Sequence, residues 1–283
     1  MLDYTALATM TQVIRLGSFE AAAHALNLTP SAVSQRIRTL EDRVGAVLIH
    51  RGPPATGTPT GLRLMQHLEQ VRLLEQGLTP DSQPATLRIA VNADSLATWF
   101  LPALTAQDLL YDLVIDDQDH AQDWLKRGQV SAAITAHPGP APGCDSLPLG
   151  CLRYLATASP GFVARHFPDG PDATSLSRAP ALTFNLKDRL QARWVRALTG
   201  RSPRLHSHLI PASEGFAHAA RLGLGWGMNP EPLIRDDLAS GRLVALGPPL
   251  DVALFWQVQR VMAPRLTALT RAIKTKAAAM LRP

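Results

Sequence analysis

Polar side chains that can bind a small ligand follow several predicted strands in the C-terminal two thirds of the sequence. Hydroxyl and amide groups at helix starts can hold a carboxylate, and acidic groups in a partly dry cleft can hold a cation. The candidates for a ligand site are Asn92, Asp94, Ser95, Asp117, Thr135, Thr157, Asn185, Ser213 and Glu214. Each candidate is equally suited to capping a helix, because Ser, Thr, Asp and Asn are the preferred caps.

The elements that must position these groups are short apolar runs that alternate with helical patterns. Such alternation is typical of α/β units with parallel strands, in which ligands bind beyond the carboxyl ends of the strands. One helical pattern runs to Leu104. The strand predictions are 87–91, 113–115, 130–135, 154–158, 181–184 and 225–228.

Other reactive residue types do not form a recognisable catalytic site. His206 and His208 have the spacing of two metal ligands on a strand, but no third ligand is near them in the sequence. The glycines of 223–227 lack the order of a dinucleotide-binding loop, and tight backbone packing explains them better. The sequence has no nucleophile elbow and no phosphate-binding P-loop. Cys144 and Cys151 are predicted to be free thiols. Taken together, these patterns lead us to expect neither an enzyme nor a metal or cofactor site.

Two helical patterns near the N-terminus are separated by only three residues. The first covers 19–26, and the second, 30–44, begins with Thr29 as its N-cap and a proline at its first position. The apolar side chains of the second pattern form one stripe, Val33, Ile37, Leu40 and Val44. A polar outward face on the second of two tightly joined helices predicts a helix-turn-helix that enters the major groove. An ordinary helical hairpin with a solvated face would show the same pattern.

This segment, FEAAAHALNLTPSAVSQRIRTLEDRVGAVLIHR over residues 19–51, resembles the DNA-binding domain of LysR-type transcriptional regulators. In that family the N-terminal half of the second helix reads bases, which here implies Pro30, Ser31, Ser34 and Gln35. Arginines position such proteins on phosphates, and the resemblance gives this role to Arg36, Arg38 and Arg51. The other DNA contacts that it implies are Ser18, Thr29 and Thr58.

The resemblance implies an α+β multidomain fold with four parts. They are a winged helix-turn-helix DNA-binding domain (1–59), a linker and dimerisation helix (60–79), a linker (80–86) and an effector-binding domain (87–283). Within the first part we expect a first helix over 4–16, a short strand over 46–51 and a wing in 52–61. The effector domain of the family resembles a periplasmic binding protein, in which the chain crosses twice between two α/β lobes. Lobe one would comprise 87–151 and 254–283, and lobe two 155–246, with crossings near 151–156 and 246–254.

The family also implies the partners of the chain. Helix 60–79 would pair with another subunit, which gives a homodimer that can pair further into a tetramer. Two-fold symmetry then demands a roughly palindromic operator in double-stranded DNA. RNA polymerase is a further partner that the resemblance suggests.

The segment AVNADSLATWFLPAL over residues 90–104 is similar to one branch of the family, the ArgP and LysG regulators that sense lysine and arginine. Supporting stretches are 116–117, 167–168 and 213–216, followed by Ala219 and Arg221. The resemblance implies a basic amino acid as effector and control of basic amino-acid export. Ser95, Thr157 and Ser213 would hold its α-carboxylate, and Asp94, Asp117 and Glu214 its positive charges. Asn92, Asn185 and Thr135 would complete the site.

Composition and charge agree with this interpretation but do not establish it. Of the 283 residues, 46% are hydrophobic and 18% charged, which is typical of a globular protein. The net charge of +5 favours a polyanionic partner, although much of the excess follows Asp251. No secretory pattern and no membrane-spanning apolar run is present, so we expect a cytoplasmic protein without a membrane partner. The alternative is an amino-acid-binding protein without DNA-binding activity, since 87–283 alone would fit one.

Overall fold

The structure is a computed structural model, and it describes residues 2–75 and 85–283. The N-terminal unit contains a helix-turn-helix, a two-stranded wing and a longer helix. In chain order its elements are α1 (Tyr4–Leu16), α2 (Phe19–Ala25), α3 (Pro30–Val44), β1 (Ile49–His50), β2 (Thr56–Gly57) and α4 (Pro59–Glu75). The predicted winged helix-turn-helix is confirmed, and α1 has the predicted bounds.

Local caps fix the ends of the first three helices. Asp3, Ser18 and Thr29 are the N-caps, and each side chain accepts a hydrogen bond from a backbone N–H of the first turn. Gly17 and Gly45 end α1 and α3 in the left-handed conformation, which glycine adopts without steric cost. The helices then share one apolar core, whose fully buried large side chains include Leu7, Met10, Ile37, Leu40 and Leu48.

The wing is shorter than the sequence predicts. Strands β1 and β2 pair antiparallel over two residues each, so the strand expected over 46–51 is limited to Ile49–His50. Helix α4 begins at Pro59 and approaches the wing through Gly61, where a Cβ would lie 2.1 Å from the Leu48 carbonyl oxygen. The predicted end of this helix and the linker in 79–84 lie outside the described residues.

The second unit contains a seven-stranded sheet with helices around it. Its first half comprises β3 (Thr86–Val91), α5 (Ala93–Ser95), a π-helical turn (Leu96–Phe100), α6 (Leu101–Leu104), β4 (Leu110–Ile115), α7 (Ala121–Lys126), β5 (Ala132–Thr135) and β6 (Cys144–Ala158). The π turn divides the helix that the sequence predicts up to Leu104. Within the described ranges, no helix is both long and apolar enough to cross a lipid bilayer.

The second half of this unit contains most of the helices. Its elements are α8 (Pro160–His166), α9 (Ala173–Arg178), β7 (Ala181–Thr183), α10 (Leu190–Thr199), β8 (Ser207–Leu209), α11 (Ser213–Arg221), β9 (Gly227–Pro230), α12 (Glu231–Ala239), β10 (Val244–Ala245), β11 (Leu250–Gln259), a 3₁₀ turn (Ala263–Leu266) and α13 (Thr267–Met280). We call the part around β3, β4, β5 and α13 lobe one, and the part from α8 to β10 lobe two.

Two long strands, β6 and β11, join the lobes. They pair antiparallel from Leu250 opposite Tyr154 to Gln259 opposite Cys144. The large sheet has the order β10-β6-β11-β5-β3-β4, and β9 also pairs with β6. The prediction of parallel strands holds for β3, β4 and β5 and for the small β7–β8 sheet, but β6, β9, β10 and β11 pair antiparallel. The difference arises because the chain crosses between the lobes in both directions.

Helix α4 contacts both units. Towards α1, Glu69 forms an ion pair with Arg15 at 3.1 Å. Towards lobe one, three hydrogen bonds join the helix to the second unit: Gln66 donates to Ser131, Gln70 donates to Gln259, and the Arg265 guanidinium donates to the Leu74 carbonyl. The helix is therefore fixed to the N-terminal unit and to lobe one of the same chain.

Candidate ligand cleft and nucleic-acid interface

A cavity of about 250 Å³ lies between the two lobes, beyond the carboxyl ends of β3 and β4 and before the start of α10. We call it the cleft. Lobe one lines it with Asn92, Ala93, Asp94, Ile115, Asp116, Asp117 and Gln118, and lobe two with Phe184, Asn185, Lys187, Asp188 and Leu190. Four of the residues predicted from the sequence come together here: Asn92, Asp94, Asp117 and Asn185.

Asp94 connects the two lobes. Its Oδ1 accepts a hydrogen bond from the Ser213 hydroxyl of α11 at 2.6 Å, and its Oδ2 accepts one from the Tyr154 hydroxyl of β6 at 2.8 Å. Burial raises the pKa of Asp94, the two hydrogen bonds oppose this, and the charge of Asp188 raises it further. A ligand cation in the cleft would favour the ionised carboxylate, so Asp94 is suited to bind one.

Two buried polar side chains beside Asp94 have no hydrogen-bond partner among the described residues. Asn92 lines the cleft with 3% of its surface exposed, and neither its Oδ1 nor its Nδ2 is paired. The Ser95 hydroxyl is also unpaired, but Ser95 is fully buried and does not line the cleft. An unpaired buried polar group costs about 1–3 kcal/mol, which a ligand that pairs with Asn92 would recover.

The loop between β7 and α10 holds its polar groups rigidly. The Asn185 Oδ1 accepts hydrogen bonds from the amides of Lys187 at 2.7 Å and Asp188 at 3.2 Å. Asp188 in turn accepts hydrogen bonds from the amides of Phe184 at 3.0 Å and Leu190 at 2.9 Å. These bonds do not use the Asn185 Nδ2, so this donor is available to a ligand in the cleft.

The two aspartates after β4 have different environments. Asp116 accepts hydrogen bonds from Trp124 Nε1 at 2.9 Å and from the Asp117 amide at 2.8 Å, and its Oδ1 lies 3.4 Å from Lys187 Nζ. Burial alone raises the pKa of Asp116, but these three partners bring it below its ordinary value. Burial also raises the pKa of Asp117; the Asp119 amide opposes this rise and the Asp119 charge adds to it, with a raised pKa as the result.

The remaining predicted ligand contacts lie outside the cleft lining, and the hydroxyls of Thr135, Thr157 and Ser213 have other partners. Thr135 is fully buried and donates to the Gln118 carbonyl at 3.1 Å, while Thr157 is fully buried and accepts from Asn229 at 3.0 Å. Ser213 lines only a narrow extension of the cleft and positions Asp94. Glu214 is exposed on α11 and lines neither space. The structure therefore does not bring Thr135, Thr157 or Glu214 into the cleft lining, and their roles as ligand contacts stay predictions.

The structure adds residues that the sequence predictions omit. Asp116, Gln118, Phe184, Lys187 and Asp188 all line the cleft. Asp116 and Gln118 flank the predicted Asp117 after the same strand, so the strand-end signal that predicts Asp117 applies to them as well. The signal for Asp188 is its place two residues before α10, where an acidic residue caps the helix start.

The outward face of α3 carries the predicted base-reading residues. Pro30, Ser31, Gln35 and Arg38 are exposed, and Ser34 is half-buried at the edge of this face. The face lies opposite the stripe of Val33, Ile37 and Leu40, which is buried against the other helices. Its polar side chains are therefore available to a DNA groove, as the helix-turn-helix requires.

Other predicted DNA contacts have intramolecular partners. Arg36 is half-buried, and its guanidinium donates to the Thr9 hydroxyl of α1 at 3.1 Å instead of standing on the outward face. Thr58 is buried, and its hydroxyl donates to the Val47 carbonyl at 2.8 Å and accepts from the Gly61 amide at 3.1 Å. Both side chains fix the fold of the domain through these hydrogen bonds, and DNA contact by Arg36 and Thr58 stays a prediction.

Three further predicted residues lie at the edges of the reading surface. The hydroxyls of Ser18 and Thr29 cap α2 and α3, as described above. Arg51 is exposed, lies 5.5 Å from the centroid of the Phe19 ring, and forms an ion pair with Glu41 at 3.4 Å. These contacts hold its guanidinium beside the wing, where phosphate contact stays a prediction.

No group of His, Cys, Asp and Glu in the described part of the chain could hold a metal ion. His208 lies on the exposed strand β8, with His206 directly before it. Gly225 and Gly227 approach other groups closely: a Cβ would lie 2.7 Å from the Pro180 carbonyl oxygen and 2.6 Å from the Phe216 ring. Tight packing is therefore the role of these glycines, as the sequence predicts.

Comparison with protein families matches both units. Residues 4–62 match the bacterial regulatory helix-turn-helix proteins of the lysR family, and residues 80–278 match the LysR substrate binding domain. The chain is 43% identical to the transcriptional regulator LysG of Mycobacterium tuberculosis over 289 residues, which cover 99% of this chain and 95% of LysG. It is also 43% identical to ArgP of Pseudomonas fluorescens over 296 residues, which cover 100% of this chain and 99% of ArgP.

Solved structures agree with this assignment. The crystal structure of ArgP from Mycobacterium tuberculosis matches with a TM-score of 0.83 and 42% identity, covering 100% of this chain and 99% of that one. Full-length LysG from Corynebacterium glutamicum with bound effector Arg matches with a TM-score of 0.70 and 36% identity over the whole of both chains. The chain therefore belongs to the LysR family of bacterial helix-turn-helix transcriptional regulators.

Proposed function

We propose that this LysR-type regulator senses a basic amino acid, lysine or arginine, in the cleft between its lobes. It acts in the cytoplasm, binds an operator in double-stranded DNA and controls genes such as one for an amino-acid exporter. The relatives support this proposal, because LysG from Corynebacterium glutamicum holds Arg as its effector.

The observation that carries the proposal is the charge of the cleft. Four carboxylates line it, Asp94, Asp116, Asp117 and Asp188, against the single ammonium of Lys187 among the described lining residues. A partly dry site with this excess of negative charge favours a cationic ligand. The cavity of about 250 Å³ is small beside the roughly 300–1,000 Å³ of drug-sized ligand sites, which suits a single amino acid.

The polar groups of the cleft divide into two kinds. The amides of Asn92, Gln118 and Asn185 can donate to an α-carboxylate, and Asn92 has no competing partner among the described residues. Asp94 and Asp117 can accept from the α-ammonium and from the cationic side chain. A neutral amino acid would leave one of these carboxylates uncompensated, which gives the site its selectivity.

Assembly into a dimer would use α4. Leu64, Val71 and Leu74 on this helix stay half-buried on the described chain, which leaves apolar surface for a second copy. Such a homodimer would present two reading helices to a palindromic operator, and dimers would pair into a tetramer. RNA polymerase is the partner that we propose at the promoter.

An electrophoretic mobility shift of the purified full chain on its own upstream intergenic DNA tests the proposal. We expect a sequence-specific shift whose mobility or midpoint changes with lysine or arginine but not with a neutral amino acid of similar length. An excess of unrelated DNA is the control for non-specific binding.

Two results would contradict different parts of the proposal. A specific shift that is indifferent to lysine and arginine would keep the regulator and reject the basic amino acid. Effector binding without specific DNA retention would instead indicate an amino-acid-binding protein.

A further inference from the structure

Lys187 is the only positively charged residue among the described residues that line the cleft. It follows β7 in lobe two, and its Nζ reaches across the cleft to Asp116 Oδ1 in lobe one at 3.4 Å. The ammonium of a lysine side chain is the same chemical group that a lysine ligand would bring into the cleft. A cation of the protein itself therefore pairs with one of the acidic residues of the site.

The two ends of this ion pair differ in rigidity. Asp116 is held by Trp124 and by the Asp117 amide, and its side chain is only 18% exposed. The Lys187 side chain is 58% exposed and extends from a backbone that Asn185 fixes. The carboxylate is therefore a fixed cation acceptor, while the ammonium on its flexible stem can move into solvent without disturbing the loop.

An ion pair this exposed is weak, so a ligand can displace it. Exposed pairs contribute little to stability, so molecules in which the Lys187–Asp116 pair is formed outnumber those in which it is broken by a factor of about one to five. A ligand that needs the same carboxylate binds only the molecules in which the pair is broken, and its apparent affinity falls in proportion to their fraction. The expected penalty is about two- to sixfold in the dissociation constant.

We propose that Lys187 is a tethered competitor of the effector: its ammonium occupies the cationic subsite at Asp116 until lysine or arginine displaces it. This inference rests on the proposed basic amino-acid effector. Displacement also removes the only ion pair between the lobes among the described cleft-lining residues. Lys187 therefore raises the effector concentration that is needed to fill the cleft.

The alternative role for Lys187 is to hold the α-carboxylate of the effector. The two roles predict opposite signs, because removing a competitor tightens binding and removing a carboxylate partner weakens it. A general electrostatic effect is the third explanation, since loss of any nearby positive charge makes the cleft more attractive to cations.

The test compares Lys187→Met, Lys187→Arg and Arg189→Met in the full chain by isothermal titration with arginine and with lysine. Arg189 is exposed two residues away and does not line the cleft, so its replacement makes the same change in net charge. We expect Lys187→Met to bind both ligands about two- to sixfold more tightly than the unaltered chain. Lys187→Arg and Arg189→Met should both bind like the unaltered chain.

Three results would overturn the inference. Unchanged or weaker binding by Lys187→Met excludes a competitor, and equal tightening in Arg189→Met reduces the effect to net charge. If the unaltered chain binds neither arginine nor lysine, the proposed function fails together with this inference. If it binds them and only Lys187→Met departs from expectation, this inference alone fails. Equal melting temperatures across the variants verify that each one folds.

Discussion

The reading helix α3 and the cleft are built in opposite ways. Helix α3 is one continuous segment with its own cap at each end and an apolar stripe that holds it on the domain. The cleft is assembled from three separate stretches, 92–94, 115–118 and 184–190, which come together only when both lobes are folded. A surface for a large, repetitive partner can therefore be local, whereas selection of a small ligand requires groups from several elements.

The two regions also differ in how well their polar groups are satisfied without a partner. The side chains on the outward face of α3 are mostly exposed, so solvent can satisfy their polar groups and the face costs little folding free energy. In the cleft, Asn92 has no hydrogen-bond partner among the described residues, and burial raises the pKa of Asp94 and Asp117. A cationic ligand would therefore compensate the charge of these aspartates, and its polar groups would pair with Asn92.

The largest expected effect is the loss of ligand binding when Asp94 is removed. Asp94→Ala deletes a buried carboxylate that would pair with an effector cation, and loss of one partner of such a pair costs about 2–5 kcal/mol. We expect effector binding at least roughly 30-fold weaker by titration, with operator affinity unchanged. The control is Glu214→Ala, which removes a nearby exposed carboxylate and should change neither. A matching loss in Glu214→Ala, or a fall in operator affinity in Asp94→Ala, would show that the two regions are not separable in this way.

A smaller effect is expected on the reading face, where two neighbouring side chains have different roles. Gln35→Ala should lose about 1–3 kcal/mol of discrimination at one base pair. Arg38→Ala should weaken binding to all sequences alike and reduce the slope of log affinity against log salt by about 1. Fluorescence anisotropy on a set of single-base operator variants, at several salt concentrations, measures both. Effector affinity serves as the internal control. If Gln35→Ala leaves all base preferences intact, α3 does not use this face.

The smallest effect concerns the folding free energy that a buried carboxylate of the cleft costs. Folding raises the pKa of Asp117, so its charge destabilises the native state as pH rises through the ordinary aspartate range, and this cost is absent at lower pH. Asp117→Asn removes the charge and keeps an oxygen for the Asp119 amide. We expect its melting temperature at pH 7 to rise on the order of 1–2 °C, with no difference near pH 3.

The control for this measurement is Asp236→Asn, an exposed aspartate on α12, which should leave the melting temperature unchanged. Effector binding by Asp117→Asn should weaken even as its stability rises. A lower melting temperature at pH 7 would contradict the view that the buried charge of Asp117 lowers the free energy of unfolding.

Most of the architecture follows from local signals in the sequence. The caps Ser18 and Thr29, the glycines after α1 and α3 and the apolar stripe of α3 all act within a few residues, so the helix-turn-helix is predictable. The directions of β6 and β11 are not, because pairing across about a hundred residues is set by the whole fold. The π turn after Ser95 likewise has no signal in a pattern that continues with helical spacing.

The cleft was predictable only at strand ends. Asn92, Asp94 and Asp117 follow β3 and β4 directly, and such positions meet at one edge of a parallel sheet. Thr135 also lies at a strand end, but its hydroxyl donates to the Gln118 carbonyl and does not line the cleft. Lys187 lies in a loop whose position depends on the packing of lobe two, so no local pattern distinguishes it from a solvated lysine.

Helix α4 contributes to two hydrophobic cores at once. Met65 and Leu68 belong to the core of the helix-turn-helix domain, while Leu73 belongs to the core shared by the lobes. A chimaera that joins this reading head to the effector domain of a relative must therefore carry α4 with its own N-terminal domain. It must also supply a lobe surface that accepts Leu73 and the side chains of Gln66 and Gln70. Exchange of reading heads between regulators is thus limited by the lobe surface that receives α4, even where the operators are interchangeable.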